Sequence, residues 1–113
     1  MAAGINQAVT EALAFAKAQQ LPMDQVIDVI SGGAASSWFL QNRGLSMTQG
    51  HYPAGFKVAL HQKDLDICLQ MGRDSGVSLP LTMQTRDDYA QLIADGLGEC
   101  DISVLYCLKA NLT

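Results

Sequence analysis

Charge is scarce in this chain. Only 16% of its 113 residues are Asp, Glu, Lys or Arg, the net charge is −4, and lysines and arginines nowhere cluster. That excludes a nucleic-acid-binding face. Also missing is any apolar run near the ~20 residues a membrane span needs, and the N-terminus has no basic segment followed by an apolar core. Neither a membrane anchor nor a secretory leader is expected. The three cysteines, Cys68, Cys100 and Cys107, are odd in number, widely spaced and without a CxxC pair or nearby ligand histidines. They read as buried, reduced thiols of a cytoplasmic protein, with no disulfide and no metal site. His51 has no second ligand at metal spacing and reads as a loop residue.

What the chain has instead is apolar content, 49% of its residues. Residues 1–113 suffice for one domain with one core. So much apolar surface on so small a domain implies that part of it covers another domain or another copy. Strand-like alternation never exceeds four residues, and there are no repeats or low-complexity segments. The expected fold class is all-α, a compact bundle of about six helices.

Punctuation residues mark the helices. Residues 2–19 are alanine-rich, with Ile5, Val9, Ala12, Leu13 and Ala16 at helical spacing and no N-cap. Leu21-Pro22 ends this helix. A short one from Met23 to about Ser31 turns Val26, Ile27 and Ile30 inward and stops at Gly32-Gly33. The run Gly32-Gly-Ala-Ala-Ser-Ser37 is no phosphate loop: no strand precedes it, and it lacks Gly-Lys-Ser/Thr and GxGxxG spacing. Ser36 or Ser37 caps a third helix, Trp38 to about Thr48, carrying Trp38, Phe39, Leu45 and Met47. A fifth helix runs from Leu79-Pro80 to about Asp95, with Met83, Tyr89, Leu92 and Ile93 inward and Asp87-Asp88 solvated. Asp101 or Ser103 starts the last, through Val104, Leu105 and Leu108.

The fourth helix, about Phe56 to Asp74, is the most informative. At ~100° per residue, Phe56, Leu60, Ile67 and Met71 form one stripe, and Val58, Leu65 and Leu69 form a second apolar face. Lys63 falls in the middle of the first stripe, with Asp64 at its edge. A buried ammonium is costly without a partner. Lys63 therefore either snorkels to water or an ion pair as a structural residue, or points into a cleft that something else fills.

Four blocks in order resemble the C-terminal domain of the β-hydroxyacid dehydrogenases, the family of 3-hydroxyisobutyrate dehydrogenase and tartronate semialdehyde reductase. They are Glu11-Ala-Leu-Ala-Phe-Ala; Ser31-Gly-Gly-Ala-Ala-Ser-Ser-Trp38; Tyr52-Pro-Ala-Gly-Phe56 leading into Leu60-His-Gln-Lys-Asp-Leu65; and Val77-Ser-Leu-Pro-Leu81 followed by Gly96-Leu-Gly-Glu-Cys-Asp-Ile-Ser103. The resemblance implies a helical domain like that of 6-phosphogluconate dehydrogenase. It also implies that Lys63 reaches the cofactor, while Phe56 and Asp64 border the substrate and nicotinamide pocket. Ser36, Ser37 and Trp38 lie in a family-like turn and read as structural.

Family members carry a Rossmann domain for NAD or NADP and a catalytic lysine, neither of which this chain contains; the lysine would fall upstream of Met1. No catalytic residue is therefore assigned. Alone, the chain is expected to be inactive and not to bind the dinucleotide tightly. A small hydroxyacid would be a ligand only of a complete enzyme, and a homodimer is the expected assembly. The rival reading is a stand-alone helical module, stripped of the chemistry, that self-associates or docks on a partner.

Overall fold

The computed structural model describes residues 1–112. In chain order it contains α1 (Ala2–Ala18), α2 (Met23–Ser31), α3 (Trp38–Thr48), α4 (Val58–Ser75), α5 (Pro80–Ala94), a 3-10 turn (Ile102–Val104) and α6 (Leu105–Lys109). The only extended pairing among the described residues is a single bridge between Lys57 and Asp101. The all-helical expectation holds.

Local chemistry sets most of the ends. The Ser37 hydroxyl accepts the Leu40 N–H at 3.0 Å and starts α3. Pro80 occupies the first turn of α5, where its missing N–H costs nothing. Gly76 closes α4 at φ 73°, a left-handed conformation that a side chain would strain. Asp101 caps the 3-10 turn by accepting the Ser103 N–H at 3.0 Å. The start of α4 is where spacing misleads: the helix begins at Val58, two residues after Phe56. The Phe56 carbonyl instead accepts the Ile102 N–H at 2.8 Å, and Val58 N–H donates to Cys100 at 3.0 Å. This short extended pairing with a distant segment holds Phe56 and Lys57 out of the helix.

Helix α1 runs through the middle of the bundle. Its Ala3 joins one core with Val58 and Leu65 of α4, Tyr89 and Leu92 of α5, and Leu105 of α6. Its Leu13 joins a second with Ile27, Leu40, Met47 and Tyr106. Between these points the buried face is polar: Asn6, Gln7 and Thr10 are all covered. Of the apolar residues at helical spacing on α1, Leu13 and Ala16 are buried, Ile5 and Ala12 are exposed and Val9 is half-buried. Polar residues take the inner face because each finds a donor or acceptor there. Gln7 donates to Thr85 Oγ1 at 3.1 Å and Asp88 at 2.8 Å, and Thr10 donates to the Asn6 carbonyl at 2.6 Å. Asp88, expected in solvent, is thus tied to α1 and to Lys109 at 3.9 Å. Met83 and Ile93, expected inward, are substantially exposed, and so are Trp38 and Leu45 of α3.

The α4–α5 turn packs tightly. A Cβ on Gly72 would stand 2.9 Å from both Leu79 Cδ1 and the Val77 carbonyl, so only glycine lets the chain double back there.

Candidate functional site

The two apolar faces of α4 have different fates. Val58, His61, Leu65, Leu69 and Gly72 turn into the core. The other stripe is uncovered: Leu60 is 51% exposed, Ile67 53% and Met71 64%. Lys63 and Asp64 are exposed between them. Among the described residues neither takes part in an ion pair, whereas Lys57 is paired with Glu99 at 2.8 Å. Lys63 is therefore a free ammonium on a bare apolar helix face, rather than a member of a structural ion pair.

Phe56 belongs to a different place. It lines an open groove of about 390 Å³ between the start of α1, α3 and the Phe56–Ile102 pairing. Ile5, Trp38 and Phe39 supply apolar walls, and Arg43 with Asp101 is the charged part. Asp101 is nearly inaccessible. Its Oδ1 accepts the Phe56 N–H at 2.9 Å, its Oδ2 accepts that of Ser103, and Arg43 Nε stands 3.7 Å from Oδ2. The Arg43 guanidinium lies 5.1 Å from the centre of the Trp38 ring. The structure thus brings Phe56 into a pocket but leaves Lys63 and Asp64 outside its lining. Ser37 and Trp38, read from sequence as structural, line this pocket as well.

Beneath Phe56 lies a buried polar network that spacing did not single out. Its ring is 4.6 Å from that of His61. The His61 Nδ1 is 2.9 Å from the Tyr89 hydroxyl, which accepts from Asn6 Nδ2 at 2.8 Å. Asn6 Nδ2 also donates to the Ile102 carbonyl at 2.9 Å. With its oxygen accepting from Asn6, the phenol has its own proton for His61 Nδ1, which leaves the ring neutral with its proton on Nε2. Burial lowers the His61 pKa below 6.5, against the pull of Asp64. Burial also raises that of Tyr89. His61 is 4% exposed, so it holds α4 to α5 and α1 rather than meeting a ligand. A histidine three residues after Val58 and four before Leu65 was the available signal for its burial. Nothing near Arg43 in sequence signals its site, because its partners come from other segments.

No group of three or more metal-ligating side chains occurs among the described residues. The three thiols are free, and Cys68, expected buried, is exposed. It sits on the outer side of α4, next to Ile67.

The family profile described as NAD-binding of NADP-dependent 3-hydroxyisobutyrate dehydrogenase matches residues 1–108. The 2-hydroxy-3-oxopropionate reductase of Escherichia coli K12 is 36% identical over 99 residues, covering 88% of this chain and 34% of that protein. An uncharacterized oxidoreductase of Shewanella frigidimarina is 41% identical over 92 residues, 81% of this chain and 32% of that protein. The crystal structure of 3-hydroxyisobutyrate dehydrogenase from Salmonella typhimurium superposes with a TM-score of 0.85 at 27% identity, covering 94% of this chain and 38% of that one. The chain belongs to the NAD(P)-dependent 3-hydroxyisobutyrate dehydrogenase family. It spans about a third of the length of the curated relatives it matches.

Proposed function

We propose that this chain forms the wall of the substrate and cofactor cleft in a β-hydroxyacid dehydrogenase of the 3-hydroxyisobutyrate type. The observation that carries the reading is Lys63, exposed and free of ion pairs among the uncovered Leu60, Ile67 and Met71. Such a face suits a covering domain, and an unpaired ammonium suits a ribose or phosphate oxygen of NAD(P). When bound, the dinucleotide supplies the hydride acceptor for the hydroxyl-bearing carbon. Lys63 would hold it against this domain. Asp64, next along the exposed face, would orient that ammonium or the proton-abstracting lysine of the complete enzyme, and Phe56 would exclude water from the substrate side. The proton-abstracting lysine and the phosphate cradle come from outside these 113 residues, so the chain alone neither turns over nor holds the dinucleotide tightly. The bare face also supports assembly as a homodimer.

The test joins this chain to the dinucleotide-binding domain of the Escherichia coli relative and follows NAD(P)H with a panel of small hydroxyacids. Activity should appear only in the joined protein, and Lys63→Met should raise the cofactor KM with little effect on the substrate KM. Turnover by the 113-residue chain alone would overturn the assignment, as would a Lys63→Met protein with unchanged cofactor KM.

A further inference from the structure

We infer that Arg43 makes the groove a site for a small organic acid, its guanidinium taking the carboxylate while Trp38 and Phe56 hold the hydrocarbon body. The Arg43 guanidinium carbon lies 5.1 Å from the centre of the Trp38 ring, within cation–π range, so the indole helps hold the cation at the groove. Only one of its donors is committed: Nη1 donates to the Asn42 carbonyl at 3.1 Å. Asp101 does not consume the rest. At 3.7 Å from Nε its oxygen is beyond hydrogen-bond reach, and both of its oxygens already accept backbone N–H groups. Asp101 thus places the guanidinium without capping it.

The backbone is shaped to admit the fork. A Cβ on Gly55 would come within 2.8 Å of Arg43 Nη2 and 3.0 Å of Asp101 Oδ1, so any other residue there would push the guanidinium aside. An apolar groove of about 390 Å³, in which Arg43 keeps donors free and Asp101 is held by the backbone N–H groups of Phe56 and Ser103, suits a ligand that is greasy along its length and anionic at one end. Resting on the cleft-wall reading above, this makes Arg43 the residue of this chain that would take the acid group of the hydroxyacid.

The experiment follows the Arg43 Nε and Trp38 Nε1 resonances of the 113-residue chain by NMR at constant ionic strength, with butyrate, 1-butanol and chloride as probes. Butyrate should shift both resonances saturably, while 1-butanol and chloride should not. Arg43→Met should abolish the shift, and Arg43→Lys and Gly55→Ala should each weaken binding about tenfold or more. The dispersion of each variant's spectrum reports its fold, and Arg43→Lys decides the matter if Arg43→Met does not fold. No saturable shift, or equal binding by Arg43→Lys and the parent chain, overturns the anion site. Because the dinucleotide plays no part in this measurement, the two readings fail separately. Arg43-dependent butyrate binding without activity in the joined protein overturns the cleft-wall reading alone, and activity without that binding overturns the anion site alone.

Discussion

Two side chains two residues apart on α4 contrast in what they do for the fold. His61 and Lys63 share a segment, but His61 faces the core and Lys63 faces solvent. Replacing Lys63 with Met removes a charge from an apolar face and breaks no ion pair, so the urea midpoint of the chain should be unchanged or slightly higher. A marked fall would show that the ammonium has a structural partner. His61 should instead show itself through pH. Burial holds its imidazole below the usual 6.5, so below that pH the unfolded chain takes up a proton that the folded chain refuses. The His61 contribution is therefore fully present above pH 6.5 and is lost as pH falls toward the lower, folded-state value. Urea melts between pH 7.5 and 5 should show this loss. His61→Gln, which keeps a hydrogen-bonding group near Tyr89 and cannot titrate, should flatten that limb; an unchanged slope would place the acid sensitivity elsewhere.

At the scale of elements, the helix ends were largely legible, because they depend on single residues and their immediate neighbours. Ser37 is such a case. Its hydroxyl satisfies an N–H at the start of α3 that no residue of the helix can reach, so Ser37→Ala should cost about 1 kcal/mol in chemical denaturation. A loss below a few tenths would mean that water replaces the cap. The beginning of α4 and the inner face of α1 were not legible, each for its own reason. Phe56 fits the helical stripe, and only pairing with Asp101 and Ile102 draws it into the groove. On α1, apolar periodicity selects Ile5 and Val9 over Asn6 and Thr10. Asn6 and Gln7 win the interior because Tyr89, Ile102 and Thr85 offer them hydrogen bonds that no local pattern reveals, while Thr10 is satisfied within the helix by the Asn6 carbonyl.

For the whole molecule, the unpaid surface is the feature with consequences. Leu13 of α1 is fully enclosed, but Ile5, Leu60, Ile67 and Met71 remain uncovered. At ~25 cal/mol per Å², burying several hundred Å² of such surface is worth many kcal/mol. A second copy related by a two-fold axis can provide that cover through the same patch on both chains. Sedimentation at micromolar concentration should give at least twice the 12.1 kDa chain mass. Ile67→Glu with Met71→Glu should return the chain to monomer without unfolding it. A parent chain that stays monomeric throughout that range would show that this face does not pair copies.

Composition and spacing were enough for an all-helical domain, its six helices and most of their ends, and for the lysine that stands among apolar residues on α4. Those properties follow from intrinsic propensity, capping and the 3.6-residue repeat, all of which act over a few residues. Which of the two apolar faces of α4 turns inward was decided by tertiary structure, since either could have met the core. So was the groove: Arg43, Gly55 and Asp101 come from separate segments, and the backbone hydrogen bonds that hold Asp101 exist only once the Phe56–Ile102 pairing has formed. The buried His61–Tyr89–Asn6 network belongs to the same class. A polar group's preference for the interior depends on the partner waiting there, and folding alone determines that partner.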